Sequence, residues 1–197
     1  MQTLINNSYT MRNKVKLKQH GPATQMDVYR SSGFSGPKFY SVDVVPAFEV
    51  NGCTYVAKPI KNETMSKYYW RQSYSVEEKG RLVGVDKGNE CRKQVFRILK
   101  VLRNREPGLS LLTSYHLKTA LFREMKKDVS WTSEDLGQRL MGVIGQVEQA
   151  LLNRTMPHFY IVGVDLLMGM GDEAVKNMAC RMSKVRTNKQ AMMGILT

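Results

Sequence analysis

Acidic residues are scarce in this chain: seventeen Asp and Glu stand against thirty Lys and Arg, a formal net charge of +13. That deficit favours a polyanionic partner, whether nucleic acid, nucleotide or an anionic membrane surface. Cysteines are also few. Cys53, Cys91 and Cys180 are far apart and odd in number, which argues against a disulfide framework and against a CxxC zinc or redox motif. A reducing compartment follows. His20, His116 and His158 show no metal-ligand spacing with those cysteines, so no zinc site is expected. Long apolar runs are missing as well: the first residues lack the apolar core of a signal peptide, and Phe159–Val164 is cut short by Asp165. No transmembrane segment is expected. The reading is of a soluble intracellular protein, cytoplasmic or, second to that, nuclear. Disorder is disfavoured by 42% apolar and 9% aromatic residues.

What is present begins with one acid inside an apolar, β-branched run, Phe39-Tyr40-Ser41-Val42-Asp43-Val44-Val45-Pro46-Ala47-Phe48. Val42, Val44, Val45 and Phe48 suit a largely buried strand, so Asp43 must find partners there or hold a cation. Pro46 limits further pairing. Upstream, residues 11–18 and 23–29 read as strands broken at Gly21-Pro22, and residues 31–37 as a connection. Downstream, Asn51-Gly52 is a turn, and Lys58-Pro59 closes a basic segment before a transition at Tyr68. Ser75 and Glu78 have capping-box spacing and open a short helix, with Arg71 and Ser73 just before it as donors for a phosphate.

Helical periodicity takes over from Cys91. Val95, Ile98, Leu99 and Leu102 make one face of a helix that Pro107-Gly108 ends, while Lys93, Arg97 and Lys100 lie on another side. With no acid between Cys91 and Arg105, that side is either solvated surface or a phosphate-backbone track through Arg92, Lys93 and Arg97. A further helix is expected within Leu109–Glu124, with Tyr115 as core, interface or base-stacking aromatic and His116 as a structural histidine. Thr132 or Ser133 caps a long helix whose stripe is Leu136, Leu140, Val143, Ile144, Val147, Ala150 and Leu151. Residues 156–161 form an extended link. A basic, Met-rich helix over Asp172–Lys189 carries Lys176, Arg181, Lys184 and Arg186. Sheet first and helices afterwards make an α+β chain, divided here at residues 1–79 and 80–197.

Several of these stretches together resemble the Mab-21 family, which includes cyclic GMP-AMP synthase and the cGAS-like receptors. The residues that carry the resemblance are Ser41–Ala47, Trp70–Ser75, Cys91-Arg92-Lys93, Ser114–Thr119, Trp131–Gly137 and Pro157–Ile161. It implies part of a nucleotidyltransferase sheet lobe followed by a helical Mab-21-like lobe of helix-hairpin-helix/H2TH type. It also implies an enzyme that joins ATP and GTP into a cyclic dinucleotide when it senses nucleic acid in innate immunity. In such a site acidic residues hold two Mg2+ ions, or Mn2+, and Asp43 resembles the third of three metal-binding, catalytic carboxylates. By the same resemblance Arg71, Ser73, Ser75, Glu78, Lys100 and Ser114 are nucleotide contacts, and Tyr115 stacks on a base.

The sequence departs from the pattern in two places. Active relatives carry a Gly-Ser loop and a Glu-x-Asp pair before the position of Asp43. Neither stands here, and the nearest earlier acid is Asp27, alone on another strand. The chain as written is therefore expected to lack two of three metal-binding carboxylates, to be inactive by itself and to be part of a longer gene product. The zinc insertion of the vertebrate DNA sensor is also missing, which ranks double-stranded RNA ahead of DNA as the activator. The alternative is a non-catalytic Mab-21-like protein that binds nucleotide or nucleic acid.

Overall fold

A computed structural model of the chain describes residues 1–9, 11–20, 23–30, 32–34, 36–57, 70–86 and 88–196. The expected features at Gly21-Pro22, Lys58-Pro59 and Tyr68-Tyr69 lie outside the described residues. The architecture is α+β, in two compact units, Met1–Glu78 and Lys79–Thr197.

The first unit holds a short helix, α1 (Gln2–Asn7), and two three-stranded antiparallel sheets. One sheet is the meander β1 (Val15–His20), β2 (Ala23–Tyr29), β3 (Lys38–Val44); the other is β4 (Ala47–Val50), β5 (Cys53–Ala57), β6 (Trp70–Ser73). Pro46 falls between them. It has no N–H to give a ladder, and the chain leaves one sheet at Val44 and enters the other at Ala47. The β4–β5 hairpin turns on Asn51 and Gly52, with φ of 52° and 73°, the left-handed pair that a two-residue hairpin demands.

The buried strand expected around Asp43 is not found. Val42, Val44, Val45 and Phe48 are 36–41% exposed, and every residue of β3 and β4 is exposed. The β-branched pattern made the strand, but strand propensity does not supply a covering layer. Among the described apolar residues of this unit only Ile5, Val15 and Ala23 are buried.

The second unit is helical. Its elements are α3 (Arg92–Arg105), α4 (Ser114–Glu124), α5 (Leu136–Leu152), α6 (Asp172–Thr187) and α7 (Lys189–Leu196); α2 (Ser75–Leu82) bridges the division. α5 packs against α3, α4 and α6. The expected stripe of α5 is the centre of the core: Val143, Ile144, Val147 and Leu151 are at most 1% exposed. They meet Val95, Leu99 and Leu102 of α3, Leu117 and Leu121 of α4, and Met178 and Met182 of α6 in one cluster. Each such side chain contributes about 1.5–3 kcal/mol on burial. Cys91 joins this cluster with no exposed surface, and burial pushes its thiol above the usual range, as an inert core cysteine.

Two helix starts differ from the sequence expectation. The region from Leu109 is not continuous helix: Pro107–Leu109 forms a 3-10 turn, and α4 starts only at Ser114. There Thr113 Oγ1 accepts from the N–H groups of Tyr115 and His116, while His116 Nδ1 accepts from Thr113 N at 2.8 Å, a capping box with histidine in place of Glu. α2 opens at Ser75 as expected, but the hydroxyl that accepts from Ser75 N, at 3.4 Å, is that of Ser73. The expected Ser75–Glu78 box thus gives way to a contact from two residues upstream.

Candidate functional site

In the sheet unit, Asp43 lies on β3 opposite Gln25 of β2, whose Nε2 donates to its Oδ1 at a long 3.4 Å. No other ion pair or hydrogen bond engages Asp43 among the described residues. Its neighbour on the same sheet face behaves oppositely. Asp27, opposite Ser41, is fully buried; Ser41 Oγ donates to it at 2.5 Å, and Lys18 and Lys38 pair with its two oxygens at 2.9 and 3.3 Å. Hydrogen bonds from Ser41 and Lys18 hold its carboxyl well below the usual carboxylate range. Asp27 is thus committed to structure, whereas Asp43 keeps its oxygens open to a ligand.

Of the three carboxylates implied by the resemblance, the described residues therefore supply Asp43. Among the described residues no group of three His, Cys, Asp or Glu side chains is gathered for an ion. Magnesium demands near-octahedral coordination by several hard ligands. Asp43 offers one of these, and the described residues alone do not fit a two-metal site.

On the second sheet, β6 carries Arg71 and Ser73, opposite Val56 and Thr54 of β5. Arg71 is exposed; Ser73 Oγ donates to Ser75 Oγ at 3.1 Å. The two hydroxyls and the start of α2 form a small cluster of donors, and Glu78, buried one turn on, faces away from solvent. No hydrogen bond or ion pair joins Asp43 to Arg71 or Ser73 among the described residues.

In the helical unit, Tyr115 is at the second position of α4 and half-buried. His158 fixes it. The Nδ1 of His158 accepts from the N–H groups of Tyr160 and Ile161 at 3.1 and 3.0 Å, which leaves the proton on Nε2, and Nε2–H then donates to the Tyr115 hydroxyl at 2.9 Å. The loop that carries His158 is held to α4 at two more points: Arg123 donates to the Pro157 carbonyl at 2.6 Å, and His116 Nε2 donates to the Leu166 carbonyl at 3.0 Å. His116 is thus the structural histidine expected. Arg103 reaches Ser114 Oγ at 3.4 Å and the Leu112 carbonyl at 2.8 Å. Lys100 is exposed, its ammonium 5.4 Å from the Phe96 ring centre.

The three basic residues at the start of α3 divide. Arg92 is tied down: Glu90 at 2.8 Å, Asp86 at 3.8 Å and the face of Trp131 at 5.5 Å occupy its guanidinium. Asp86 also accepts from the backbone N–H groups of Arg92 and Lys93, at 2.9 and 2.5 Å, in place of a side-chain cap from Cys91. Lys93 and Arg97 extend into solvent one turn apart, in line with Lys100 and Asn104.

Two residues of this region, His158 and Arg81, carry no functional signal in the spacing of the sequence. The Arg81 guanidinium lies 4.9 Å from the Phe159 ring centre, and its Nε donates to the Tyr160 hydroxyl at 3.2 Å. Lys126 lies 4.6 Å from the centre of the same Phe159 ring. Such signal as there is lies in the run His158-Phe159-Tyr160, a titratable ring beside two aromatics, but its partners lie tens of residues away.

Residues 91–184 match the Mab-21 protein HhH/H2TH-like domain. Over 191 aligned residues the chain is 35% identical to cyclic GMP-AMP synthase-like receptor 3 of Stylophora pistillata, with 89% of this chain and 55% of that protein covered. The chain thus spans about half the length of the curated relative it matches. No helix among the described residues is long and apolar enough to cross a membrane. The domain match over residues 91–184 and the 35% identity along most of the chain support its membership of the Mab-21, cGAS-like family.

Proposed function

We propose that this chain supplies nucleotide- and nucleic-acid-binding surfaces of a cGAS-like nucleotidyltransferase that acts in innate immune sensing. In this reading the protein joins ATP and GTP into a cyclic dinucleotide with Mg2+ or Mn2+, and double-stranded RNA activates it. The observation that carries the reading is Tyr115, an aromatic ring whose hydroxyl is fixed by His158 at the head of α4, beside Ser114. A ring oriented in advance stacks on a base with little ordering cost. Arg71, Ser73, Ser75 and Lys100 would contact the nucleotides, and Asp43 would give one ligand to the metal; the burial of Glu78 sets it apart from them. Lys93 and Arg97 would follow the RNA phosphates, with Arg92 as the fixed root of that face.

Equilibrium dialysis of ATP and GTP with the purified chain tests the reading. Tyr115→Ala is expected to weaken binding about 5- to 100-fold, the range for removing one base-stacking ring; unchanged binding would remove Tyr115 from the site. The second reading, a non-catalytic binder, is favoured by the solitary Asp43. Mass spectrometry after the full-length protein is incubated with ATP, GTP, Mg2+ and duplex RNA separates the two. A cyclic dinucleotide that disappears in Asp43→Asn supports catalysis, and its absence from wild type with nucleotide binding intact supports the binder.

A further inference from the structure

The basic residues of α6 have no part in the reading above, yet two of them border a pair of cavities in the helical unit. The larger, about 570 Å3, is lined by Gly108, Asn177, Cys180, Arg181 and Lys184. The smaller, about 240 Å3, shares Arg181 and Lys184 and adds Glu106, Val185, Ala191 and Ile195. Arg181 and Lys184 are one helical turn apart, so both cations face the junction of a polar and an apolar lobe.

The stem of Arg181 is packed against the chain in advance of any ligand. The 3-10 turn at Pro107–Leu109 lies so close to its stem that a Cβ on Gly108 would come within 2.7 Å of Arg181 Cγ. A side chain at position 108 would force that stem to shift. Among the described residues the acid beside the guanidinium is Glu106, at 4.0 Å from Nε, and its Oε1 already accepts from Gly108 N at 3.2 Å. Lys184 has no ion pair among the described residues, and the Arg181 side chain is 54% exposed. The far wall is fastened separately: Arg105 Nη1 donates to the Ile195 and Leu196 carbonyls at 3.2 and 2.6 Å, and this ties the end of α7 over α3.

A guanidinium with a packed stem and open N–H groups, an unpaired ammonium one turn away and an Asn amide form a donor set that matches phosphate oxygens. Val185, Ala191 and Ile195 offer the adjoining lobe to an apolar part of the same molecule. The larger cavity alone falls within the volume range of small-molecule sites. We propose that the cleft between the 107–109 turn, α6 and α7 is a binding site for a small phosphate-bearing ligand, held by Arg181 and Lys184. It uses none of the residues assigned to nucleotide or RNA above.

Inorganic pyrophosphate is the probe, titrated by calorimetry into the full chain at about 150 mM salt with EDTA, so that surface charges are screened and metal is excluded. Saturable binding is expected, weakened at least tenfold in both Arg181→Gln and Lys184→Gln, and changed less than twofold in Lys176→Gln, an exposed cation outside the cleft. Cys180 gives a second reading in the unmutated protein. Its exposed thiol lines the larger cavity, so pyrophosphate should slow its alkylation by uncharged N-ethylmaleimide at least threefold, with Cys53 unaffected. No saturable binding, or equal loss in all three variants, would overturn the site, and so would unprotected Cys180.

Discussion

The two units show opposite uses of similar apolar content. In the helical unit, the stripes of α3, α4, α5 and α6 face one another, and a single core runs from Cys91 to Val185. In the sheet unit, the apolar residues of β3 and β4 stay open to solvent: Phe39 is 55% exposed and Trp70, on β6, is 43% exposed. Periodicity is the same signal in both cases, but burial needs a second layer, and only the helices provide one another with it. Their charged residues differ in the same sense. The buried acid of the sheet, Asp27, is neutralised by two exposed lysines from its own sheet. Buried Glu148 of α5 instead pairs with Arg186 of α6, and buried Glu124 of α4 with Arg139 of α5 and Lys127.

Core truncation is the strongest way to break this comparison. Ile144→Ala removes buried methylenes with no room for collapse and should cost about 2–5 kcal/mol in chemical denaturation. Val44→Ala, on the exposed face of β3, should cost under about 1 kcal/mol. A similar loss from both would show that β3 is covered in solution.

The next effect is on pH. The Asp27 carboxyl is held below its unfolded value, so its contribution to stability is present above the ordinary carboxylate range. It is lost as pH falls through the depressed folded value. Asp27→Asn should therefore lower the melting temperature near pH 7, and the gap between variant and wild type should close toward strong acid. A pH-independent gap would mean that Asp27 acts by shape alone.

The smallest effect sharpens the division among the basic residues of α3. Lys93→Gln and Arg97→Gln should each reduce the salt dependence of duplex RNA binding by about one phosphate's worth of released counterion. Arg92→Gln should instead leave the salt slope nearly unchanged and lower the stability of the α3 start, since its charge already belongs to Glu90 and Asp86. A salt slope that falls as far in Arg92→Gln as in Arg97→Gln would reverse that assignment.

Much was legible in the sequence because it is local. The helical stripes, the Asn51-Gly52 turn, the break at Pro46 and the structural role of His116 follow from short spacings and the conformational limits of single residues. The α4 start was misjudged because a Pro-Gly turn and a histidine capping box compete with helical periodicity over the same residues. The exposed face of β3 was misjudged because composition states what a strand prefers and not what lies upon it.

The α+β order, the large positive charge, the position of Asp43 on a strand and the family motifs are all properties of neighbours along the chain. Which groups are spent and which are free depends instead on how distant segments pack. Asp27 and Asp43 are alike in sequence, and the cross-strand lysines and Ser41 bury one while the other stays open. Arg92 and Arg97 share a helix, and a loop acid claims the first. His158 meets Tyr115 across 43 residues. Hydrogen bonds and ion pairs act over a few ångströms in space, so their partners are settled only when distant segments pack together.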